Sequence, residues 1–346
     1  MSQTVTQYGR ISPPRPEWLA KATAEAIIEP ELPIIDTHHH LWVREGERYL
    51  LEEFLADCSS GHNIAASVFL QCHAMYRAYG PREMRPVGET EFVAGIAAMS
   101  ESAQYGKTRV AAGIVGYADL TKGEWVEPVL EAHIRAGGGR FRGVRHSAGW
   151  DADPVIGNSA PDMRSKLYLR ADFRAGMRTL SALGLSLDAW AFHPQLPDVV
   201  DLARAFPGTN IIMGHCGGPL GYGVYAGRRD EVFVHWKTSI VELAKCPNVT
   251  MKLGGMMMRL AATDYMGQAR PPSSEELAAL WRPYIETCIE HFGPKRCMFE
   301  SNFPVEKMGI GWAALWNAFK RLAAGSTPEE KHALFAGTAR RVYRLD

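Results

Sequence analysis

The sequence has no excess charge of either sign and no long apolar run. Its 346 residues include 38 Lys plus Arg and 38 Asp plus Glu, so the formal net charge is zero. Without a positive field there is no long-range attraction to nucleic acid or to an anionic membrane, and we expect neither partner. No stretch reaches the roughly 18 apolar residues of a membrane span. Residues 1–15 lack the apolar centre of a secretory signal, so we expect a cytoplasmic protein.

Cysteine-based metal-binding pairs and the glycine-rich nucleotide-binding signature are also missing. None of the six cysteines forms a C-x-x-C pair, so zinc-ribbon and thioredoxin-like patterns are excluded. Cys72, Cys216 and Cys297 lie in apolar, strand-like runs, where a free cysteine behaves as a small buried hydrophobe, and we expect reduced thiols. No G-x-G-x-x-G follows an early apolar run, so an open dinucleotide-binding sheet has no support.

A repeating unit of short apolar run, polar turn and longer helical segment is present instead. This alternation predicts βα units and a parallel sheet. Eight units in one chain fit an α/β fold of the (β/α)8 TIM-barrel type better than an open sheet. The eight predicted strands are Leu32–Asp36, Ala65–Gln71, Val110–Tyr117, Phe141–His146, Leu185–Trp190, Asn210–His215, Val249–Leu253 and Arg296–Glu300.

Helical spacing fills the segments between and after these runs. Residues 1–30 are predicted to form an N-terminal arm with one short helix, Pro16–Ile28, and residues 31–346 one barrel domain. Composition shifts at Tyr222–Arg229 and Ala261–Ser274 predict two longer loops on the barrel rim. The predicted barrel helices are Glu89–Ser102, Trp125–Ala136, Ala171–Leu183, Pro197–Ala205, Asp230–Lys245, Ser274–Phe292, Trp312–Ala323 and Pro328–Tyr343.

The residues that carry chemistry begin with the letters DTHHH at positions 36–40, at the end of the first run. Alternation along a strand places His38 and His40 on one side and His39 on the other. Two imidazoles on one side, at the carboxyl end of a barrel strand, can bind one divalent ion. A chance histidine cluster in a surface loop is the alternative, which the preceding apolar run disfavours.

Three more histidines follow later runs: His146 after the fourth, His193 after the fifth and His215 at the end of the sixth. Barrel enzymes build their sites at these strand ends, although a lone histidine there can also be a hydrogen-bonded core residue. Arg145 precedes His146, and the pair could bind a substrate carboxylate. His215 begins the letters HCGGP, in which small residues allow close approach of a ligand.

Eight sequence words, each at its predicted strand or at the last helix, give the chain a specific resemblance. From about Pro33 to its end it resembles the amidohydrolase superfamily, in the amidohydrolase-2-type branch of predicted metal-dependent TIM-barrel hydrolases. That branch includes sugar lactonases and a pyrone dicarboxylate lactonase and is related to decarboxylases of aromatic acids. The words are DTHHHLW (36–42), GIVGYADL (113–120), FRGVRH (141–146), AFHPQLP (191–197), GHCGGP (214–219), VTMKLGG (249–255), RCMFESNFP (296–304) and LFAGTARRVYRL (334–345).

The resemblance implies a metal centre and a catalytic water. In metal-bearing relatives the paired first-strand histidines and the fifth-strand histidine bind the ion, which corresponds here to His38, His40 and His193. The sixth-strand histidine, here His215, orients or activates the water. The implied ion is divalent, zinc before manganese, although the family also contains members that work without metal.

The eighth strand departs from the family pattern. The aspartate of the usual S-D-x-P word is replaced by Asn302, whose amide oxygen can bind a metal but cannot act as a general base. Glu300, two residues earlier, is expected to point to the same side and could supply the missing carboxylate. A structural salt bridge inside the barrel is the alternative role for Glu300.

Further pocket candidates follow the strand ends. Arg145 is the best anion partner because a guanidinium can donate two hydrogen bonds to one carboxylate. Aromatic residues after the first strand could form a wall of the pocket, or could simply pack. The substrate-binding candidates are Trp42, Tyr49, Gln71, His73, Arg145 and His146.

The leading functional hypothesis is a hydrolase that opens a small carboxylated or hydroxylated lactone or related cyclic ester. The same barrel could instead carry a decarboxylase or hydratase of an aromatic-derived acid, because fold does not fix reaction. A catalytically silent ligand-binding barrel is the third alternative. The expected partner is a small-molecule substrate, and a homo-oligomer is left open.

Overall fold

A computed structural model describes residues 12–159, 165–258 and 267–345. Within these residues, eight parallel strands form one sheet in which each strand pairs with the next along the barrel. The predicted (β/α)8 barrel is therefore confirmed, with strand ends differing from prediction by three residues at most. The barrel strands are Ile34–His39, Ile64–Leu70, Arg109–Gly116, Phe141–Arg145, Ser186–Ala189, Ile211–Met213, Val249–Leu253 and Cys297–Phe299.

Helices follow the strands as the spacing predicts. The predicted segment Pro328–Tyr343 is divided into two short α-helices around a π-helical turn, Ala333–Gly337. Two elements after the first strand were not predicted: an antiparallel hairpin of Trp42–Arg44 with Glu47–Tyr49, and the helix Leu51–Cys58. The other α-helices are Pro16–Leu19, Val87–Glu101, Glu127–Ala136, Ala171–Ala182, Leu196–Ala205, Arg229–Ala244, Ser274–Phe292 and Trp312–Leu322.

The first and eighth strands meet through side chains as well as backbone. The Asn302 amide donates to the His38 carbonyl at 2.8 Å, and the His40 amide donates to the Phe303 carbonyl at 2.8 Å. The buried Asp36 carboxylate accepts hydrogen bonds from the backbone amide and hydroxyl of Ser301, at 2.8 and 2.7 Å. These contacts fix the ends of the two strands that carry most of the candidate site.

The barrel interior below the site holds a buried ion pair. The Lys252 ammonium lies 2.9 Å from Oδ1 of Asp188, which also accepts a hydrogen bond from the Tyr343 hydroxyl at 2.7 Å. Tyr343 and Leu345 pack with barrel-lining apolar side chains such as Ile35. The last residues of the chain therefore close the barrel on the side away from the strand carboxyl ends. All six cysteines are free and buried.

The N-terminal arm differs from prediction. The helix covers only Pro16–Leu19, and residues 26–29 are irregular instead of helical, with Glu29 at φ +44°. Asn317 accepts a hydrogen bond from the Ile28 amide at 2.9 Å and donates to the Ala26 carbonyl at 2.9 Å. The Asn317 side chain, in the helix Trp312–Leu322, thus hydrogen-bonds to backbone groups that would have been paired within the helix if it had continued.

Two further expectations concern segments around the barrel. The predicted rim loop Tyr222–Arg229 contains a single 3-10 turn, Gly223–Tyr225, before the next helix begins. The predicted loop Ala261–Ser274 lies partly outside the described residues. None of the helices in the described part of the chain is long and apolar enough to cross a membrane.

Candidate functional site

The histidine word of the first strand has the predicted alternation. Nε2 of His38 lies 3.1 Å from Nε2 of His40, on the inner side of the barrel. The ring of His39 points the other way, where it stacks on Phe54 with 4.2 Å between ring centroids and hydrogen-bonds to Ser67. His38 and His40 therefore belong to the site, whereas His39 packs between the barrel and the helix that follows.

Glu300 lies beneath these rings and joins two of them. Its Oε2 is 2.7 Å from Nδ1 of His38, and its Oε1 is 2.7 Å from Nδ1 of His215. Burial alone would raise the pKa of the Glu300 carboxyl, but the charges and hydrogen bonds contributed by His215, together with the charge of Lys252, lower it. The group is an ionised carboxylate, which can only accept hydrogen bonds.

This carboxylate determines which ring nitrogens carry hydrogen. Nδ1 of His38 and Nδ1 of His215 both donate to Glu300, so Nε2 is the nitrogen of each ring that the carboxylate does not engage. In His40, Nδ1 lies 2.8 Å from the Leu70 carbonyl and must also be the donor. Burial lowers the pKa of His38 and His40 well below the usual range, so both rings are neutral. His38 and His40 thus present unprotonated Nε2 atoms.

These lone pairs suit a divalent ion. The Nε2 atoms of His38 and His40 are 3.1 Å apart with no hydrogen between them. Two nitrogens bound to one tetrahedral zinc at 2.0–2.1 Å would be separated by about 3.3 Å. The ring centroids of His38 and His215 are 4.7 Å apart, and His38, His215 and Glu300 offer atoms within 4.8 Å of one another. The donor set therefore fits a small divalent cation.

Two consecutive glycines let these groups approach closely. Gly254 and Gly255 follow the seventh barrel strand, and a side chain on Gly255 would overlap Nδ1 of His215. A side chain on Gly254 would overlap the Glu300 carbonyl. Gly255 also has a φ of +67°, a conformation that glycine adopts without strain. The sequence signal was available in the letters GG after a strand, although its role was not predicted.

A pocket opens above the histidines at the carboxyl ends of the strands. Its empty volume is about 600 Å³, which includes space open to solvent. It contains two arginines and no aspartate or glutamate among its described lining residues. The lining residues are His40, Trp42, Arg44, Gln71, Cys72, His73, Arg145, Ser147, Ser159, Trp190, His215, Met258, Asn302 and Val305.

Arg145 reaches the imidazoles directly. Its Nη1 lies 3.2 Å from Nε2 of His38, and its Nη2 donates to the Gln71 carbonyl. Its Nε is buried and makes no hydrogen bond in the described structure. The side-chain oxygen of Gln71 is likewise buried without a partner. Both predicted substrate-binding residues therefore present an unused polar atom at the pocket.

Trp190 and Arg44 line the pocket but were not predicted. Trp190 packs edge-on against His215 with 4.6 Å between ring centroids. Alternation from Asp188, on the same strand, could have placed Trp190 on the inner side. Arg44 lies over the ring of Trp42, 3.7 Å from its centroid. Its position depends on the hairpin that was not predicted.

His193 is not brought to the histidine group. The fifth strand ends at Ala189, and His193 begins a 3-10 turn four residues later, so strand alternation no longer determines its direction. Its Nδ1 accepts a hydrogen bond from the Leu220 amide at 3.2 Å, and its ring packs against Tyr225. His215, which was predicted to position the water, is the histidine that lies beside His38, with 4.7 Å between ring centroids.

Tyr49 and His146 also lie apart from the pocket lining. The Tyr49 hydroxyl is 2.6 Å from Asp57, which holds the ring under the hairpin. Nδ1 of His146 accepts a hydrogen bond from the Leu120 amide at 3.3 Å, and its ring packs against Phe173. Alternation explains the second case, because Arg145 faces the pocket and its neighbour must face outwards.

Asn302 is among the residues that line the pocket. It adopts φ +54°, and its side-chain amide donates to Oε1 of Glu306 at 3.2 Å. Oε2 of Glu306 accepts a hydrogen bond from the Met257 amide at 2.9 Å. Burial raises the pKa of Glu306 to about 8. Because Nδ2 is engaged, the Asn302 oxygen is the atom left for the pocket.

Curated relatives extend along nearly the whole chain. It is 31% identical over 339 residues to the uncharacterized protein y4mH of Sinorhizobium fredii, covering 92% of this chain and 99% of that protein. It is 26% identical over 321 residues to an L-fucono-1,5-lactonase of Burkholderia multivorans, covering 90% and 96%.

Solved structures show the same architecture. A zinc-bound amidohydrolase from Burkholderia multivorans has a TM-score of 0.68 at 26% identity, covering 90% of this chain and 99% of that chain. A manganese-bound 5-carboxyvanillate decarboxylase from Novosphingobium aromaticivorans, at 16% identity, shares the fold with a TM-score of 0.57, covering 92% and 97%. The amidohydrolase family model matches residues 35–345. The resemblance carried by the strand-end words is thereby confirmed, and the protein belongs to the amidohydrolase family.

Proposed function

We propose that the protein is a hydrolase that opens a small carboxylated or hydroxylated lactone, or a related cyclic ester. The observation that carries this proposal is the group of His38, His40 and His215 at the base of a positively charged pocket, with each Nδ1 engaged by Glu300 or by the Leu70 carbonyl and each Nε2 left for a ligand. The L-fucono-1,5-lactonase relative, at 26% identity, supports the reaction class.

The proposed ligands of a divalent ion are His38, His40 and His215, with His215 replacing the predicted His193. Zinc is the first choice because it prefers nitrogen ligands and tetrahedral geometry, with manganese as the alternative. A bound ion would supply Lewis-acid polarisation of the ester carbonyl. Glu300 holds two of the rings in the orientation that this role requires, as carboxylates do for metal-binding histidines elsewhere.

Proton transfer needs an acceptor that the proposed ion leaves unbound. Glu300 already accepts from Nδ1 of His38 and Nδ1 of His215, which leaves it a positioning role. His73 lines the pocket and is not a proposed ligand, so it can accept a proton from water as the water oxygen attacks the ester carbonyl carbon. The ring C–O bond then breaks, and the proton passes to the departing alkoxide.

The pocket walls determine which substrates bind. Nε of Arg145 is an available donor for a carboxylate or a carbonyl oxygen, and Oε1 of Gln71 is an available acceptor for a hydroxyl group. Trp42 and Trp190 supply apolar faces for a ring. The oxygen of Asn302 offers a further acceptor, without the negative charge of the family aspartate.

The proposal is tested by metal content and by acid release. The purified protein is stripped with chelator, reloaded with zinc or manganese, and assayed on a lactone panel by titrating the acid formed. His40→Ala is expected to lose the ion and the activity. His193→Ala is the matched control and is expected to keep the ion. Loss of metal from the His193 variant with retention in the His40 variant would refute the ligand assignment.

A decarboxylase is the second candidate function. The pocket has two arginines and no described acidic lining residue, which suits a substrate carboxylate held beside His38. Release of carbon dioxide from hydroxybenzoate-type acids, with no acid formed from any lactone, would favour this reaction over hydrolysis.

A further inference from the structure

The guanidinium of Arg145 lies at the position where a metal ion would meet His38. Nη1 of Arg145 is 3.2 Å from Nε2 of His38, and that nitrogen is a lone-pair acceptor because Nδ1 donates to Glu300. An arginine can only donate hydrogen bonds. The guanidinium and a divalent ion therefore use the same lone pair, and both are cations.

The same guanidinium is only partly satisfied where it lies. Nη2 donates to the Gln71 carbonyl, whereas the buried Nε makes no hydrogen bond in the described structure. Arg145 also lines the pocket, so a small displacement away from His38 keeps it beside bound substrate. A carboxylate there could accept two hydrogen bonds from the guanidinium in place of the one made to His38.

We propose that Arg145 competes with the divalent ion for His38 and that ion binding moves the guanidinium into the pocket to bind the substrate carboxylate. This inference rests on the proposed metal site. Like charges at contact distance repel, so Arg145 weakens binding of the ion. A bound ion in turn shifts the guanidinium away from His38 to the position in which it binds substrate. A bound ion that strengthens binding of the substrate carboxylate by some factor must, by thermodynamic linkage, have its own binding strengthened by that carboxylate by the same factor.

Arg44 provides a matched control in the same pocket. Its guanidinium lies over the Trp42 ring, 3.7 Å from the centroid, and donates to the Cys72 carbonyl at 3.2 Å. Arg44 therefore carries the same charge as Arg145 and, like Arg145, donates to a backbone carbonyl just after the second barrel strand. Its charge also acts on His40, but the guanidinium nitrogen that lies within hydrogen-bond distance of Nε2 of His38 is Nη1 of Arg145. A generic effect of pocket charge would involve both arginines.

The test measures zinc affinity by competition with a chromogenic chelator at fixed pH and ionic strength. Arg145→Met is expected to bind zinc at least tenfold more tightly than the unaltered protein, Arg145→Lys less than threefold more tightly, and Arg44→Met within threefold. Equal or weaker binding by Arg145→Met, or equal gains in both methionine variants, would overturn the proposal. If neither the unaltered protein nor Arg145→Met binds zinc, the metal site itself is wrong.

A second measurement needs no variant. A crystal structure of the zinc-loaded protein is expected to place the Arg145 guanidinium beyond hydrogen-bond distance of Nε2 of His38. Zinc bound by the histidines with the guanidinium still hydrogen-bonded to His38 would overturn the competition while leaving the proposed metal site intact. This outcome separates the failure of the inference from the failure of the proposed function.

Discussion

The side-chain amide of Asn302 donates a hydrogen bond to the buried carboxyl group of Glu306, with 3.2 Å between Nδ2 and Oε1. Asn302, which replaces the family aspartate, is thus held by the acidic side chain of Glu306 in the following 3-10 turn, Val305–Met308. A neutral amide at this position is compatible with a nearby carboxyl group in either protonation state. An aspartate would not be, because two adjacent carboxylates repel.

We therefore predict that Asn302→Asp has a pH-dependent cost. Burial raises the pKa of Glu306 from 4.5 to about 8. The stability that protonated Glu306 contributes is therefore complete below pH 4.5 and is lost as the pH rises through about 8. At pH 6 the new Asp can accept a hydrogen bond from protonated Glu306. At pH 9 both groups are charged, and we expect about 1–3 kcal/mol of destabilisation.

Denaturant unfolding at pH 6 and pH 9 measures this effect. The double variant Asn302→Asp with Glu306→Gln is the control, since it removes one of the two charges and should largely abolish the dependence on pH. A cost for Asn302→Asp that is the same at both pH values would show that the two side chains are not electrostatically coupled.

A second prediction concerns the glycine behind His215. Gly255→Ala is expected to displace the imidazole, because the new methyl group would overlap its Nδ1, and so to abolish most metal binding and activity. Gly227→Ala is the matched control: its φ of +73° resembles the +67° of Gly255, but its surroundings are open.

Both variants carry the strain of a left-handed alanine, about 1 kcal/mol. Zinc content and the thermal midpoint of each variant separate strain from steric overlap. If the two variants lose zinc and stability equally, the close approach of Gly255 to the His215 ring does not contribute to metal binding.

The fold was predictable because each barrel strand is an apolar run followed by helical spacing. His38 and His40 were also predictable, since they continue the first strand and its alternation. The hairpin at residues 42–49 was not, because its letters WVREGERY are charged and half exposed and do not resemble a buried barrel strand. Arg44, which depends on that hairpin, was missed for the same reason.

The direction of a side chain could be predicted only for residues that lie in a strand or directly continue it. His193 lies beyond the end of its strand, in a 3-10 turn whose geometry is set by packing against Leu220 and Tyr225. Glu300 was placed on the correct side, but its use of both oxygens for His38 and His215 depends on three strands meeting. Such convergence is a tertiary property that no local pattern contains.

A third prediction follows from four histidines that are not proposed metal ligands. Burial, the largest cause in each case, lowers the pKa of His62, His73, His133 and His146 from 6.5 to about 4. The unfolded chain binds protons that the folded chain does not between these two values. The free energy of unfolding of the metal-free protein should therefore rise from pH 4 to pH 6.5, by up to roughly 1.4 kcal/mol per pH unit for each histidine.

Urea unfolding in the presence of chelator, at half-unit steps of pH, measures the slope. His133→Gln removes one such group while retaining a polar side chain between Thr90 and the Tyr117 carbonyl. Its slope should be shallower than that of the unaltered protein. A free energy of unfolding that stays constant from pH 4 to pH 6.5 would contradict the prediction.

The last prediction concerns the arm that docks on the final helices. The Lys320 ammonium donates to the carbonyls of Ile28 and Glu29, each at 2.8 Å, and lies 2.9 Å from Nδ1 of His62. Lys320→Met removes the donor of two partly buried backbone carbonyls, at about 1 kcal/mol for each lost hydrogen bond. Lys331→Met is the matched control, because in the described part of the chain Lys331 pairs with the half-exposed Glu29 side chain, a contact worth about 1 kcal/mol or less. Limited proteolysis with a protease that cuts the arm, followed by urea unfolding, should show faster cleavage and lower stability for the Lys320 variant alone. Similar behaviour of the two variants would mean that the arm is held by its apolar contacts and not by this ammonium.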